Sequence, residues 1–436
     1  MRTLLYKARM ASSPGPDPHE FVPLDLALAC PAPPSPASLA RAAAAAAAPP
    51  LRVLVAHNRY QQRGGEDAVV DSEVELLRSR GHAVHEYRRD NHELETMPPA
   101  AAAGQTLWSR RTVADIDRLM HEFRPDLVHV HNTFPLISPS LYWAAARHRL
   151  PVVQTLHNFR LVCPQGLMLR EGRPCEDCVG RLPWRAVRHR CYRDSAAQSA
   201  VLATMIAGHR GLGTWSRKVT RYIALNDFCR DRFVAGGLPA AKLRVKFNFV
   251  DVPAPPDGPR HGFLFVGRLS AEKGVGVLAQ ALRAQRLEEP VFIAGTGPEQ
   301  HLLEGLPGVV RLGNLAPEQV YERMRSTRAL VLPSLCYENF PRTLAEAFGC
   351  GQPVIGSRHG AMAALLEEHR TGLLFAPGDA AALASTLQWA LQHPGELGEM
   401  GRRARARYER ELTGESNYRQ LLAIYREAIE STCQSS

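Results

Sequence analysis

Two glutamates, Glu338 and Glu346, frame the segment Tyr337-Glu338-Asn339-Phe340-Pro341-Arg342-Thr343-Leu344-Ala345-Glu346-Ala347. Proline at the start and Gly351 just past the end mark Pro341–Cys350 as a helix. Glu338 therefore stands before that helix, and Glu346 lies inside it, about 7.5 Å along the axis from Pro341. One carboxylate can meet a group at the helix start while the other meets something deeper. The N–H groups of Asn339 and Phe340 fall where a helix N-terminus favours electronegative ligand atoms. Two glutamates so spaced also occur on ordinary solvated helices, so the segment gains meaning from its company. Gly267-Arg268-Leu269-Ser270-Ala271-Glu272-Lys273-Gly274 sets Arg268 and Lys273 between glycines. A guanidinium fork and an ammonium point charge there suit a diphosphate, although two surface cations are the plainer alternative. Gly295-Thr296-Gly297-Pro298 puts Gly295 and Gly297 where backbone can approach a base or ribose closely, a weak signal alone.

Four cysteines make a second cluster. Cys163, Cys175, Cys178 and Cys191 form C-x11-C-x2-C-x12-C, with Arg181, Arg185, Arg188, Arg190 and Arg193 around them. Such a set can hold a structural zinc in a thiolate tetrahedron, stay as free thiols, or carry an iron–sulfur cluster. Asp115-Ile116-Asp117 matches a metal-binding Asp-x-Asp string. Ile116, Leu119, Met120 and Phe123 give it helical periodicity, so it reads as a solvated helix face. The apolar stretch Ala196–Trp215 reads as core packing, with contact to a lipid-linked acceptor as the sharper alternative.

These groups sit on a repeated strand–helix pattern. Arg52–His57, Val84–Tyr87, Asp126–His131 and Pro151–His157 read as strands separated by helices. The pattern restarts at Gly262 with Phe263–Gly267, Val291–Gly295, Val309–Leu312, Ala329–Pro333, Val354–Gly356 and Leu373–Phe375. Alternation of this kind predicts an α/β protein with two facing Rossmann-like parallel-sheet domains and a cleft between them. Residues 1–50, with a Pro-rich run and an alanine tract, are expected to be an extension without a core. The first domain is expected over 51–250, with a Cys-containing insertion near 160–195. A linker follows at 251–261 and the second domain at 262–412. The helix within 413–436 carries an apolar stripe suited to packing back on the first domain.

Composition sets the remaining bounds. The chain has 436 residues, is 45% hydrophobic and 22% charged, and carries a formal net charge of +10. That balance suits a globular protein with anionic ligands. Nothing resembles a nucleic-acid recognition helix, so nucleic acid is not an expected partner. No run is long enough for a membrane span, and the amino terminus lacks a secretory apolar core. A cytoplasmic protein with reduced thiols is the expectation.

Gly267–Gly274, Gly295–Pro298, Pro333-Ser334, Glu338–Glu346 and Gly351–Val354, in this order, resemble the family 4 retaining glycosyltransferases (glycosyl transferases group 1). The resemblance implies the GT-B fold, with the second half binding a UDP- or GDP-sugar. It implies that Arg268 and Lys273 hold the diphosphate, Glu346 the ribose, and Glu338 the sugar. Asn339 departs from the usual glycine of that motif. In the first half, Gly64-Gly65-Glu66 resembles the family's glycine-rich loop near phosphate and acceptor. His157 resembles an imidazole that reaches the donor sugar beside the reacting centre. Retention without a catalytic metal is implied, and the acceptor is expected to be a glycan or glycolipid of cell-envelope polysaccharide synthesis. Contact with the inner membrane face is a further expectation. Another GT-B enzyme, such as a phosphorylase or nucleotide-sugar epimerase, and an inactive GT-B scaffold are the alternatives.

Overall fold

The computed structural model describes residues 49–62, 64–254 and 258–434. The expected extension, apart from Pro49 and Pro50, and part of the expected linker lie outside them. The first sheet contains β1 (Arg52–Arg59), β2 (Ala83–Asp90), β3 (Leu127–Asn132), β4 (Val152–Leu156), β7 (Arg221–Ala224) and β8 (Leu243–Val245). A two-stranded hairpin, β5 (Leu169–Arg170) and β6 (Arg173–Pro174), stands apart. The second sheet contains β9 (Phe263–Val266), β10 (Val291–Ala294), β11 (Val309–Gly313), β12 (Ala329–Leu332), β13 (Val354–Ser357) and β14 (Gly372–Phe375). All pairings within the two large sheets are parallel.

Strand chemistry explains that choice. β3, β4 and β12 are buried along their whole length, as strands covered on both faces must be. Along β1, Val53 and Val55 point to one layer and Leu54 and Ala56 to the other, following the two-residue period. One layer over the first sheet includes the helix Gly414–Cys433, whose Leu421, Ile424, Tyr425 and Ala428 pack with Val53, Val55, Val153 and Ile223. The opposite layer takes Leu202, Met205 and Ile206 of the helix Ala196–Gly211, together with Trp215. The apolar residues that could have met lipid are therefore mostly core; Leu212, beyond the helix, is the exposed one.

The sheet orders place the site. The first runs β2-β1-β3-β4-β7-β8 and the second β11-β10-β9-β12-β13-β14. Each reverses direction once, between β1 and β3 and between β9 and β12. Loops leaving the carboxyl ends of strands at such a reversal diverge and open a crevice. The loops after β1, β9 and β12 carry Gly64-Gly65, Arg268–Lys273 and Ser334–Glu338 respectively.

Candidate active site

On the second-sheet side, the loop Gly267–Gly274 leaves β9 and docks on the exit of β12. Gly274 has φ +72, and a Cβ there would overlap the Pro333 carbonyl, so both the backbone and the space demand glycine. This seating brings Lys273 Nζ to 2.7 Å from Glu338 Oε1, the same oxygen that accepts a hydrogen bond from Ser334 Oγ at 2.8 Å. Burial disfavours both charges. The ion pair nevertheless holds Lys273 above its ordinary pKa and Glu338 below its own, so both are ionised at neutral pH. Arg268 is exposed and has no ion-pair partner among the described residues.

The helix predicted over Pro341–Cys350 runs Arg342–Gly349, with Pro341 preceding it and Gly351 at φ +62 after it. Within it Arg342 Nε donates to Glu346 Oε1 at 2.9 Å. Burial pushes the Glu346 carboxyl up in spite of that cation. Gly295, at φ +135, would place a Cβ on the Gly267 carbonyl, and Gly297 would place one against Leu269. Both glycines thus let one loop pack on the phosphate-suited loop beside it.

On the first-sheet side, Gly64 N–H donates to Asp67 Oδ2 at 2.9 Å, and Asp67 Oδ1 lies 2.8 Å from His57 Nε2. Glu66, at the start of the helix Gly65–Ser79, accepts from the Tyr60 hydroxyl at 2.9 Å. Burial raises its pKa to about 7, against the opposing pull of His57 and Tyr60. His157 follows β4. Its Nε2 lies 2.9 Å from His131 Nδ1, and burial with the nearby His57 field lowers it to about 3, so the ring is neutral.

Beneath His157 runs a buried chain of polar groups. His131 Nε2 lies 3.5 Å and His129 Nδ1 3.1 Å from Glu73 Oε1, and Lys246 Nζ lies 3.0 Å from Glu73 Oε2. His129 Nδ1 also lies 2.7 Å from the Tyr425 hydroxyl of the last helix. His129 and His131 are buried within the first sheet. Glu73, His129 and His131 bring three metal-type ligand atoms within 4.8 Å of one another. The Lys246 ammonium already meets that carboxylate, and a metal cation there would be repelled by it.

The two sides share one cavity of about 510 Å³. Gly64, Gly65, Glu66 and His157 line it from the first sheet. Arg268, Lys273, Glu338, Phe340 and Arg342 line it from the second. Glu346, Gly295, Gly297 and Asn339 do not reach its wall. Asn339 is a strut instead: its Nδ2 donates to the Leu156 carbonyl at 3.1 Å, and its own carbonyl accepts from Asn226 Nδ2. The residue standing in place of a glycine therefore ties the Glu338 segment to the strand end that carries His157.

The model of "Glycosyltransferase Family 4" matches residues 63–253, and that of "Glycosyl transferases group 1" matches 260–393. Between them they take in both sheets apart from β1, and every residue of the shared cavity except Gln62. The chain belongs to the family 4 glycosyltransferases.

Its fold is GT-B. This family 4 chain superposes on Anabaena Alr3699/HepE in complex with UDP with a TM-score of 0.61, at 17% identity, covering 86% of this chain and 99% of that one. It is 37% identical over 164 residues to the D-rhamnosyltransferase WbpZ of Pseudomonas aeruginosa, covering 36% of this chain and 42% of WbpZ. It is 31% identical over 225 residues to the amylovoran biosynthesis glycosyltransferase AmsK of Erwinia amylovora, covering 46% of this chain and 55% of AmsK. The matched stretches thus span about half the length of these curated relatives.

Two other features of this family 4 chain fall outside the cavity. Asp115 and Asp117 sit on the helix Arg110–Glu122, where Asp115 accepts from the Tyr87 hydroxyl and Asp117 pairs with Arg147 and His148. The four cysteines of the insertion surround a separate small cavity. Among the cavity residues given no site role from the sequence are Arg342, Phe265 and Asn248. Arg342 lies inside the glutamate segment, and its cationic type beside Glu346 was the available signal. No helix of the described residues is long and apolar enough to cross a membrane.

Proposed function

We propose that this chain transfers a sugar from a nucleoside-diphosphate sugar, UDP- or GDP-linked, to a glycan or lipid-linked glycan acceptor, with retention of anomeric configuration. The observation that carries this reading is the single cavity in which Arg268, Lys273 and Glu338 face Gly64-Gly65 and His157. Cleavage of the anomeric C–O bond builds positive charge on the sugar carbon and negative charge on the departing diphosphate. Arg268 and Lys273 answer the second charge, and preorganised charge of this kind is usually the largest catalytic contribution. The incoming diphosphate competes with Glu338 for the Lys273 ammonium, which frees the carboxylate to accept sugar hydroxyls.

His157 acts as a neutral hydrogen-bonding ring. Its Nε2 is engaged by His131, which leaves Nδ1 for the donor sugar. Glu66, titrating near neutrality, takes the acceptor side of the cavity beside Gly64-Gly65. The acceptor's proton passes to the leaving phosphate as the new glycosidic bond forms, so no further enzymic base is required. Arg342 meets the nucleotide, with Glu346 behind it on the ribose side. Charge on the diphosphate is met by these side chains rather than by a divalent ion at Asp115-Ile116-Asp117, whose carboxylates already serve a surface helix. The names of WbpZ, AmsK and HepE with UDP support a sugar-transfer role in glycan synthesis.

A panel of UDP- and GDP-sugars incubated with purified protein tests the reading. One donor should release nucleoside diphosphate slowly without acceptor, and Lys273→Ala should abolish the release. A protein that binds donors but never cleaves one, with or without glycan acceptors, would instead be a GT-B scaffold.

A further inference from the structure

The segment between His157 and the helix Ala196–Gly211 has little regular structure to hold its shape. It contains a hairpin of two residues per strand and one helix of four residues, Arg185–Arg188. Five of the nine non-glycine residues with positive φ among the described residues fall here: Met168, Glu171, Arg190, Arg193 and Asp194. Side chains disfavour that backbone conformation, and it persists only where the surroundings enforce it. A piece this short cannot bury enough apolar surface to do so alone, and comparable small units are held by cross-links or metal.

The chain folds so that Cys163, Cys175, Cys178 and Cys191 line one cavity of about 20 Å³. That is room for one water-sized sphere and too little for a multi-iron cluster. Each cysteine arrives on a hydrogen-bonded turn. Cys163 N–H donates to Phe159 O at 2.8 Å, Cys175 N–H to Met168 O at 2.7 Å, and Cys191 N–H to Ala186 O at 3.0 Å; Cys178 O accepts from Arg181 at 3.2 Å. None of the four is in a disulfide. Arg170 lies within electrostatic reach of Cys175 and Cys191, and Arg210 of Cys178.

We propose that these four cysteines bind one structural zinc ion as a tetrathiolate, and that the ion fixes a loop which braces the segment carrying Glu338. Each thiol releases its proton on ligation, and the resulting site has two net negative charges, which Arg170 and Arg210 offset. No three of its sulfurs lie within 4.8 Å of one another. Closing to Zn–S distances of about 2.3 Å requires side-chain rotation and small turn movements. Glu176, between Cys175 and Cys178, is the brace. Its Oε2 lies 2.6 Å from Arg232 Nη1, and it also accepts from the Tyr337 hydroxyl. Tyr337 immediately precedes Glu338 and packs edge-on against Phe228 with ring centroids 4.8 Å apart.

Full-length protein produced in zinc-replete medium and purified without a metal-binding tag should carry about one zinc per chain. Cobalt exchanged into it should give the visible absorption of a tetrahedral thiolate complex. Cys178→Ser should lose the ion, and Cys433→Ser, on the last helix, should keep it. If Cys178→Ser does not fold, the wild-type protein decides: the four thiols should resist alkylation until a chelator strips the zinc, and stripping should lower Tm by several degrees. Zinc-free protein whose four thiols alkylate freely would overturn the proposal. Iron in place of zinc, a disulfide among the four, or zinc retained in Cys178→Ser would overturn it equally.

Discussion

The Lys273–Glu338 pair gives the site its sharpest test at the level of single residues. Lys273→Ala removes a charged hydrogen bond of about 1.5–3 kcal/mol, so nucleoside-diphosphate affinity should fall roughly tenfold to a hundredfold. Glu338→Gln removes the carboxylate that competes with the diphosphate for Lys273, so affinity for free nucleotide should hold or rise while turnover falls. Calorimetry and initial rates on both variants check this, and equal loss of nucleotide affinity would refute the division of roles. Glu66 supplies a pH signature. Its pKa of about 7 lies above the carboxyl's ordinary 4.5, so the fold favours the neutral acid. The stability this contributes is complete below about pH 4.5 and is lost as pH rises through about 7. Glu66→Gln cannot ionise, so its Tm relative to wild type should increase from about pH 5 to about pH 8. A difference independent of pH would remove Glu66 as a titrating group. Most of the cavity's charged residues were legible in the sequence, because glycines and helix ends flank them. The Lys273–Glu338 contact was not, since residues so far apart meet only through the docking of two loops. Nor was the part played by Asn339, whose amide bonds to a strand end in the other half of the chain.

Among the elements, the helix Gly65–Ser79, strand β3 and the last helix meet at Glu73, His129 and Tyr425, with Lys246 completing the group just past β8. A fully buried ion pair broken on one side typically costs about 3–5 kcal/mol, because it strands the other charge. Lys246→Met should therefore destabilise the fold by about that much in chemical denaturation. The double variant Lys246→Met, Glu73→Leu should regain most of the loss, and a single variant costing under about 1 kcal/mol would contradict the buried pairing. Ten of the twelve strands of the two large sheets were plain in the sequence as short apolar runs in an alternating strand–helix pattern, while β7 and β8 were not read as strands. The helix Pro99–Leu107 was missed, because its alanine-rich sequence has almost no apolar stripe to reveal it.

For the whole molecule, the consequence of two facing sheets is a cavity that neither half could build alone. Asn339 holds the Glu338 segment to Leu156, while the apposed Gly64-Gly65 and Gly267–Gly274 loops meet across open space. A donor whose diphosphate touches both loops should favour a more closed arrangement, since a ligand shifts a population only through differential contacts. Small-angle scattering should show a smaller radius of gyration with donor than without it. Calorimetric titration of wild-type and Lys273→Ala protein with UDP and GDP tests whether one cavity binds a nucleoside-diphosphate sugar through Arg268 and Lys273. Wild-type protein should show one saturable site for one of the two nucleotides, weakened at least tenfold in the variant. Absence of binding to either nucleotide, or equal binding by wild type and variant, would contradict it.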